Sequence, residues 1–563
     1  IVMTPSKKGS ATHIKIERKK KLNLDDSAVV HEGSGQNRGL VINKQASADA
    51  DDLSKPQLQL GFMCFLVDQK TGKHFVESRR LKFWYREGVD YYNQVTTAYD
   101  FFKELVKPDN FPKDYVGFIK KCMKQMQGDK YSQAVKVDLE IQQLDDKDAP
   151  QSPGFRREDL RPQTEICREK LLHILESAYP NVLAVEDLVR ITAFDETIVT
   201  AQLDELKHKE LVRTLENGGV VRQVLDEKTG KTVVKNMPMM SSSDQPTIAI
   251  ITALYCEKLA IDSMMENKTT YVKYKTEGES NVYTIGYIGE HKIVSTKLPA
   301  IGHFRAAQIS SGNSTTRLLG GFQNIEHVFI CGVAGGVPHY TNYFKHVRLG
   351  DVLLSRQDEK GYIYYYCDKI LRNKENDVHY NMKTWAPRDL ELQKIAEKIE
   401  DLQKSNPSLA SWERYMLEGE QILQGQENNF ERPPDNTDRL YMDLGDDQVI
   451  EVQHPSPPEG TIVREGLPRL HFGVFGSGSR VVKSDSMRLD FASKYNISAF
   501  DSEFDQVLES IVGNRKDSFM FVRGIADYSD GTKNKKWQSY AALAAAAVTK
   551  TIIKSIGKRK IDV

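Results

Sequence analysis

Cysteine is scarce. The 563 residues hold six (Cys64, Cys122, Cys167, Cys256, Cys331 and Cys367), and the closest two, Cys331 and Cys367, stand 36 positions apart. That spacing excludes CxxC zinc or redox knuckles, and six is too few for a disulfide framework in so long a chain, so a reducing compartment fits. Net charge is missing as well, because 78 Lys and Arg cancel 78 Asp and Glu. Without a global field, nothing draws the whole chain to nucleic acid or an anionic membrane, and any site for a charged ligand must be local. No apolar run approaches the roughly 18 residues of a membrane-spanning helix. The first residues lack the apolar stretch of a secretory signal, which makes a cytoplasmic protein the expectation. The basic cluster Arg18–Lys21 (RKKK) reads either as a nuclear address or as a solvated tail.

What is present divides the chain. At roughly 150 residues per domain, three or four domains are expected. Residues 1–57 are polar and poor in aromatics, a composition that predicts a disordered tail. Residues 58–146 alternate between apolar runs, a QKTGK turn and helical spacing, which predicts a small α+β domain, and a proline-rich linker follows at 147–162. Residues 163–235 carry three helical segments and then an Asn-Gly-Gly turn between two strand-like runs, the order of a winged helix. Its third helix holds Asp195, Glu196, Asp204, Glu205 and Glu210 against only Lys207 and Lys209, a net of three negative charges. Phosphate repels such a helix, so protein docking is expected of this module rather than nucleic-acid reading. After a second linker at 236–244, strands and helices alternate from 245 to 560 as an α/β domain. A charged, proline-broken insertion interrupts it at about 389–461.

In open α/β sheets, ligands gather at the carboxyl ends of the strands, so acids just after apolar runs are the first candidates. Glu257 follows IAIITAL, Glu503 follows SAF, and Asp527 follows FMFVRGI. The turn Gly332–Val337 (GVAGGV) also follows a strand, where glycines let backbone N–H groups approach a ligand. Neither GxxxxGK[ST] nor GxGxxG occurs, and no Ser/His/Asp or metal-ligand spacing stands out, so neither metal nor cofactor is expected. The residues point to carboxylate acid/base work on a small polar ligand.

These landmarks, in order, resemble the nucleoside phosphorylase superfamily, and within it the methylthioadenosine/S-adenosylhomocysteine nucleosidases. ITALYCE (251–257) resembles the first strand with its acid, YTIGYIGEHKIV (283–294) the next hairpin, and LPAIGHFRAA (298–307) the turn before a helix. GVAGGV with VRLGDVLLS (347–355), AFDSEF (499–504) and VRGIADYSD (522–530) resemble the ligand turn, the Glu-x-Glu segment and the late catalytic Asp. The tail DYSDGTKNKKWQSYAA is closer to the phosphorylase-like domains fused to signalling modules in large eukaryotic proteins.

The resemblance implies a phosphorylase-like α/β sandwich with a mixed sheet, and roles for single residues. Glu257 would activate the attacking water and Asp527 would protonate the purine at N7. Glu503 would bind the ribose hydroxyls, with Ser502, Val333, Ala334, Gly335 and Val482 lining the pocket. His303, Arg305, Arg480 and Lys483 would meet the phosphates of a nucleotide or remain solvated charges. An Asp at position 527 goes with a 6-aminopurine, so an adenine nucleoside or nucleotide is the implied substrate and a homo-oligomer the implied assembly. Phosphorylases of the family carry Arg just before the glycine turn, where this chain has Ile330, so hydrolysis is favoured over phosphorolysis. Four positions depart from the pattern: Val333 replaces a hydroxyl residue, Asp501 a glutamate, Ser502 an apolar residue, and Phe504 a small one. Phe504 is expected to crowd the following helix. A nucleoside-binding scaffold or sensor without turnover is the alternative reading of the same fold.

Overall fold

A computed structural model describes residues 1–19, 29–44, 55–67, 74–107, 111–112, 115–144, 161–223, 231–234, 240–241, 244–274, 281–299, 305–372, 378–405, 411–445, 448–482, 485–502, 504–528 and 535–557. Two compact units emerge. One comprises 1–157, 338–346 and 435–463; the other comprises 158–337, 347–434 and 464–563.

The first unit is a nine-stranded sheet in the order 440–445, 448–452, 58–67, 74–85, 134–144, 11–17, 2–8, 41–43, 29–32. The strand Ala134–Leu144 alternates buried and half-buried residues, as a sheet with one covered face requires. The helices Tyr91–Leu105 and Tyr115–Gln127 bury Phe101, Phe102 and Phe118. Phe62 meets Phe102 at 5.4 Å and Phe83 meets Phe101 edge-on at 5.6 Å.

Two expectations are corrected here. The segment 1–57 is not uniformly disordered, because Val2–Lys8 and Ala11–Glu17 pair as a hairpin and the second strand joins Ala134–Leu144. Among the described residues of this segment only Val2, Ala11, Ile14, Ile16, Leu40 and Val41 are buried apolar side chains, too few to register in a composition average. The turn is carried by Gly9 at φ +60°, a conformation that favours glycine. Arg18 of the basic cluster donates to the Ala134 and Gly128 carbonyls, whereas residues 20–28 and 45–54 lie outside the described residues. The insertion is also more than a decoration of the α/β domain. Its helices Glu391–Ser405 and Ser411–Ile422 stay with that domain, but the hairpin of Leu440–Gly445 and Gln448–Val452 extends the first unit's sheet by pairing Ile450 with Cys64 and Val452 with Phe62. Most of both proposed linkers lies outside the described residues.

The second unit opens with the expected winged helix. Its helices Gln163–Ala178, Val185–Thr192 and Glu196–His208 pack around Leu171, Leu175, Leu188, Val199, Leu203 and Leu206, and Val212–Thr214 pairs with Val220–Arg222. Asp195 caps the third helix by accepting the Thr197 N–H at 2.9 Å.

Beyond it lies the α/β domain with a mixed sheet, the architecture the sequence implies. The core strands Ile248–Thr252, His327–Gly336 and Ser518–Asp527 run parallel and are almost continuously buried, as expected of a sheet covered on both faces. The helix Lys535–Lys554 packs so closely that a Cβ on Gly524 would lie 2.0 Å from the Ala541 carbonyl oxygen.

Asp351, whose backbone carbonyl accepts the Ile525 N–H at 2.8 Å, is a polar hub beside the strand Ser518–Asp527. It accepts from the backbone N–H groups of Arg348 and Arg469, from the Arg469 guanidinium at 3.1 Å and from His471 Nε2 at 2.9 Å. Burial alone would raise its pKa, but Arg469 and His471 outweigh that and hold the carboxyl well below the usual carboxylate range. The stabilisation is therefore complete above the unfolded carboxylate's value of ~4 and fades in more acid solution. Asp351→Ala should lower unfolding free energy at pH 7 by about 1–3 kcal/mol, because it removes the buried acceptor of two backbone N–H groups and the carboxylate that faces the half-buried Arg469 guanidinium. A denaturant midpoint within error of the parent's would refute this.

Candidate active site

At the carboxyl ends of the three parallel core strands the sheet brings together residues far apart in sequence. Glu257 lies on the first turn of the helix Tyr255–Ser263, directly after the first strand. Its Oε2 accepts the N–H groups of Ala253 (2.7 Å) and Leu254 (2.8 Å), the ordinary work of a carboxylate at a helix start. Its Oε1 reaches instead to the neighbouring strand and accepts the Val333 N–H at 2.8 Å. Three backbone donors thus lock a side chain that is only 2% exposed. Gly332 makes this approach feasible, since a Cβ there would sit 2.2 Å from Glu257 Oε1.

The neighbouring strand continues the site. Gly335 is the register partner of Asp527 on one side and of Phe500 on the other, so Val333, Ala334 and Gly335 lie between the late Asp and the segment that leads into Asp501 and Ser502. The Ser502 carbonyl accepts from the hydroxyls of Tyr364 (2.7 Å) and Ser477 (3.1 Å), and the Phe504 N–H donates to Tyr364 Oη at 3.2 Å. Phe504 does not crowd the helix after it. Its ring is buried against Phe521 at 5.9 Å and beneath a guanidinium 4.6 Å away. Asp527, half-buried, ends its strand on this rim.

That guanidinium belongs to Arg523, which is absent from the set of residues read from the sequence. It is wholly buried, and its Nε donates to Asp501 Oδ2 at 2.6 Å. Its Nη1 stands 4.0 Å from Glu257 Oε1, and neither Nη1 nor Nη2 has a hydrogen-bond partner among the described residues. Burial pushes the Asp501 carboxyl up to about 6, against the pull of Arg523. The guanidinium itself stays protonated, because Asp501 and Glu257 outweigh its own desolvation. A sequence signal existed: an arginine inside the apolar run FMFVRGIAD must be buried, and a buried charge needs a reason.

Of the other sequence-read residues, Val482 is half-buried in the short helix Ser479–Val482, and its carbonyl accepts from Arg488 at 3.2 Å. Arg305 opens the helix Arg305–Gly321. Glu503, His303 and Lys483, and the side chains of Arg305 and Arg480, lie outside the described residues. Among the described residues no group of three or more His, Cys, Asp or Glu is placed to hold a metal ion, and no helix is long and apolar enough to cross a membrane.

Residues 158–224 match the family model of a winged helix-turn-helix domain. Over 317 residues the chain is 26% identical to a nucleotide-binding leucine-rich repeat (NLR)-like protein of Hyaloscypha variabilis; the match takes in 55% of this chain and 29% of that protein, so the chain spans less than a third of that relative's length. Among solved structures it is similar to the 5'-methylthioadenosine/S-adenosylhomocysteine nucleosidase of Neisseria meningitidis, at 15% identity, 55% of this chain, 100% of that chain and a TM-score of 0.33. It is also similar to the futalosine hydrolase of Helicobacter pylori, at 15% identity, 55% and 97% coverage and a TM-score of 0.32.

Proposed function

We propose that residues 245–560 hydrolyse the N-glycosidic bond of an adenine nucleoside or nucleotide and release adenine. The observation that carries this reading is the fixed pair of Glu257 and Arg523. A carboxylate locked by three N–H groups faces a buried guanidinium with two unspent donors across 4.0 Å. One water bridges such a gap with two ordinary hydrogen bonds. Held there, its oxygen attacks C1′ while a proton passes to Glu257, the C1′–N9 bond breaks, and Asp527 delivers a proton to N7 of the departing adenine. The ribosyl cation that develops is stabilised by nearby carboxylate charge, to which Glu503 at the sugar hydroxyls would add.

The formal charges of Glu257, Asp501 and Arg523 sum to one negative at pH 7, a poor receptacle for phosphate and a good one for water, which favours hydrolysis over phosphorolysis. The substrate's 5′ group, the contribution of His303, Arg305, Arg480 and Lys483, a homo-oligomeric state and a cytoplasmic location belong to the same proposal. So does a protein partner for the winged helix, whose acidic third helix argues against nucleic acid.

The full chain should release free adenine, read by chromatography, from at least one of adenosine, methylthioadenosine, AMP and ATP, without phosphate. Asp527→Asn should slow that release by roughly 10²- to 10⁴-fold, the usual contribution of a positioned acid. Binding without release from any of the four would favour the sensor, and release only with phosphate the phosphorylase.

A further inference from the structure

The winged helix is docked onto the helix that carries Glu257, and the docking is built from buried polar groups. Lys297 ends the strand His291–Lys297 as the register partner of Thr252. It is 1% exposed, and its Nζ donates to the carbonyls of Ser177 (2.8 Å), Tyr179 (2.9 Å) and Leu298 (3.1 Å). The first two lie at the carboxyl end of the winged helix's opening helix, Gln163–Ala178, where the helix dipole favours a cation.

Arg222, on the wing and also 1% exposed, pairs with Glu176 at 3.3 Å and donates to the Leu211 and Gln223 carbonyls. Its guanidinium carbon lies 4.9 Å from the centre of the Tyr255 ring, which meets Tyr179 edge-on at 5.6 Å. Tyr255 opens the helix of Glu257, and the same turn supplies the Leu254 N–H that holds Glu257 Oε2. Burial lowers Lys297 to about 7, with Glu257 and then Glu176 pulling the other way, so the latch and the site acid are within electrostatic reach of each other.

We infer that the winged helix is a positioning module for Glu257, latched by Lys297, Arg222 and Tyr255, and that loosening it shifts Glu257 Oε1 relative to Val333 and Arg523. Lys297 and Arg222 act here as positioning residues, an assignment that rests on the proposed role of Glu257. A misplacement near 1 Å can cost 10²-fold in rate without touching the chemistry.

The test uses the full chain with Lys297→Met and Arg222→Met, and with Arg190→Ala, an exposed winged-helix residue, as control. Amide exchange across 254–263 should rise at least tenfold in both latch variants while Ile248–Thr252 and Ser518–Asp527 keep their protection. With the adenine-yielding substrate, kcat should fall roughly tenfold or more with KM within about twofold, Lys297→Arg should recover part of it, and Arg190→Ala should match the parent. Unchanged exchange in that helix overturns the inference, as does an unchanged kcat in a variant that only melts earlier. If the parent releases no adenine, the functional reading falls and the exchange result alone decides. Should both latch variants fail to fold, the parent in low denaturant serves: the winged helix and residues 254–263 must open as one unit, and separate opening overturns the inference.

Discussion

Glu257→Gln should cut adenine release by roughly 10²- to 10⁴-fold, the span expected when a positioned base is removed. The substitution keeps the shape and removes the ability to take a proton. It also turns one acceptor into a donor in a place where every neighbour donates: Ala253, Leu254 and Val333 N–H on the two oxygens, and Arg523 beyond. Either amide orientation sets an NH₂ against at least one N–H, so unfolding free energy should also fall by about 1–3 kcal/mol. Chromatographic release assays and a denaturant melt on the same preparation separate the two effects. Near-parental release from a folded Glu257→Gln protein would remove this carboxylate from the chemistry.

Gly332→Ala should cost at least ~10² in release while leaving the charged groups themselves untouched. The added methyl would stand 2.2 Å from Glu257 Oε1 and 2.4 Å from Arg523 Nη1. Neither neighbour can yield cheaply, since Glu257 is held by three backbone donors and Arg523 by Asp501. Overpacking of this kind costs ~1–3 kcal/mol of stability, which the same melt would read. Gly320→Ala is the comparison, because a Cβ there meets nothing within 4 Å and should leave release unchanged. Equal release from the two alanine variants would mean that the spacing of Glu257 and Arg523 is irrelevant to turnover.

Sequence patterns fixed by short-range physics were readable. The helical spacing of Leu171 and Leu175 and the Asn-Gly-Gly turn announce the winged helix. Acids after long apolar runs mark Glu257 and Asp527, because strand ends are where an α/β sheet opens. Arg523 was harder, for its meaning comes from Asp501 and Glu257, which only folding brings beside it. The hairpin Val2–Glu17 escaped composition because half of each strand is polar by design of a one-sided sheet. Nothing local in 440–452 says that its partner is the strand Leu58–Val67; that choice is made by register in space. The latch on Tyr255 is of the same kind, since Lys297 reads in the chain as the polar end of a strand.

The late hairpin makes the amino-terminal unit a poor cassette for gene fusion. Cys64 waits for Ile450, 386 positions downstream by subtraction of their numbers, an interval of some tens of seconds at the ~5–20 residues a ribosome adds each second. Throughout it the strand Leu58–Val67 offers one bare row of N–H and C=O groups, the template on which newborn chains stick together. A transplanted first third without 435–463 would keep that edge permanently.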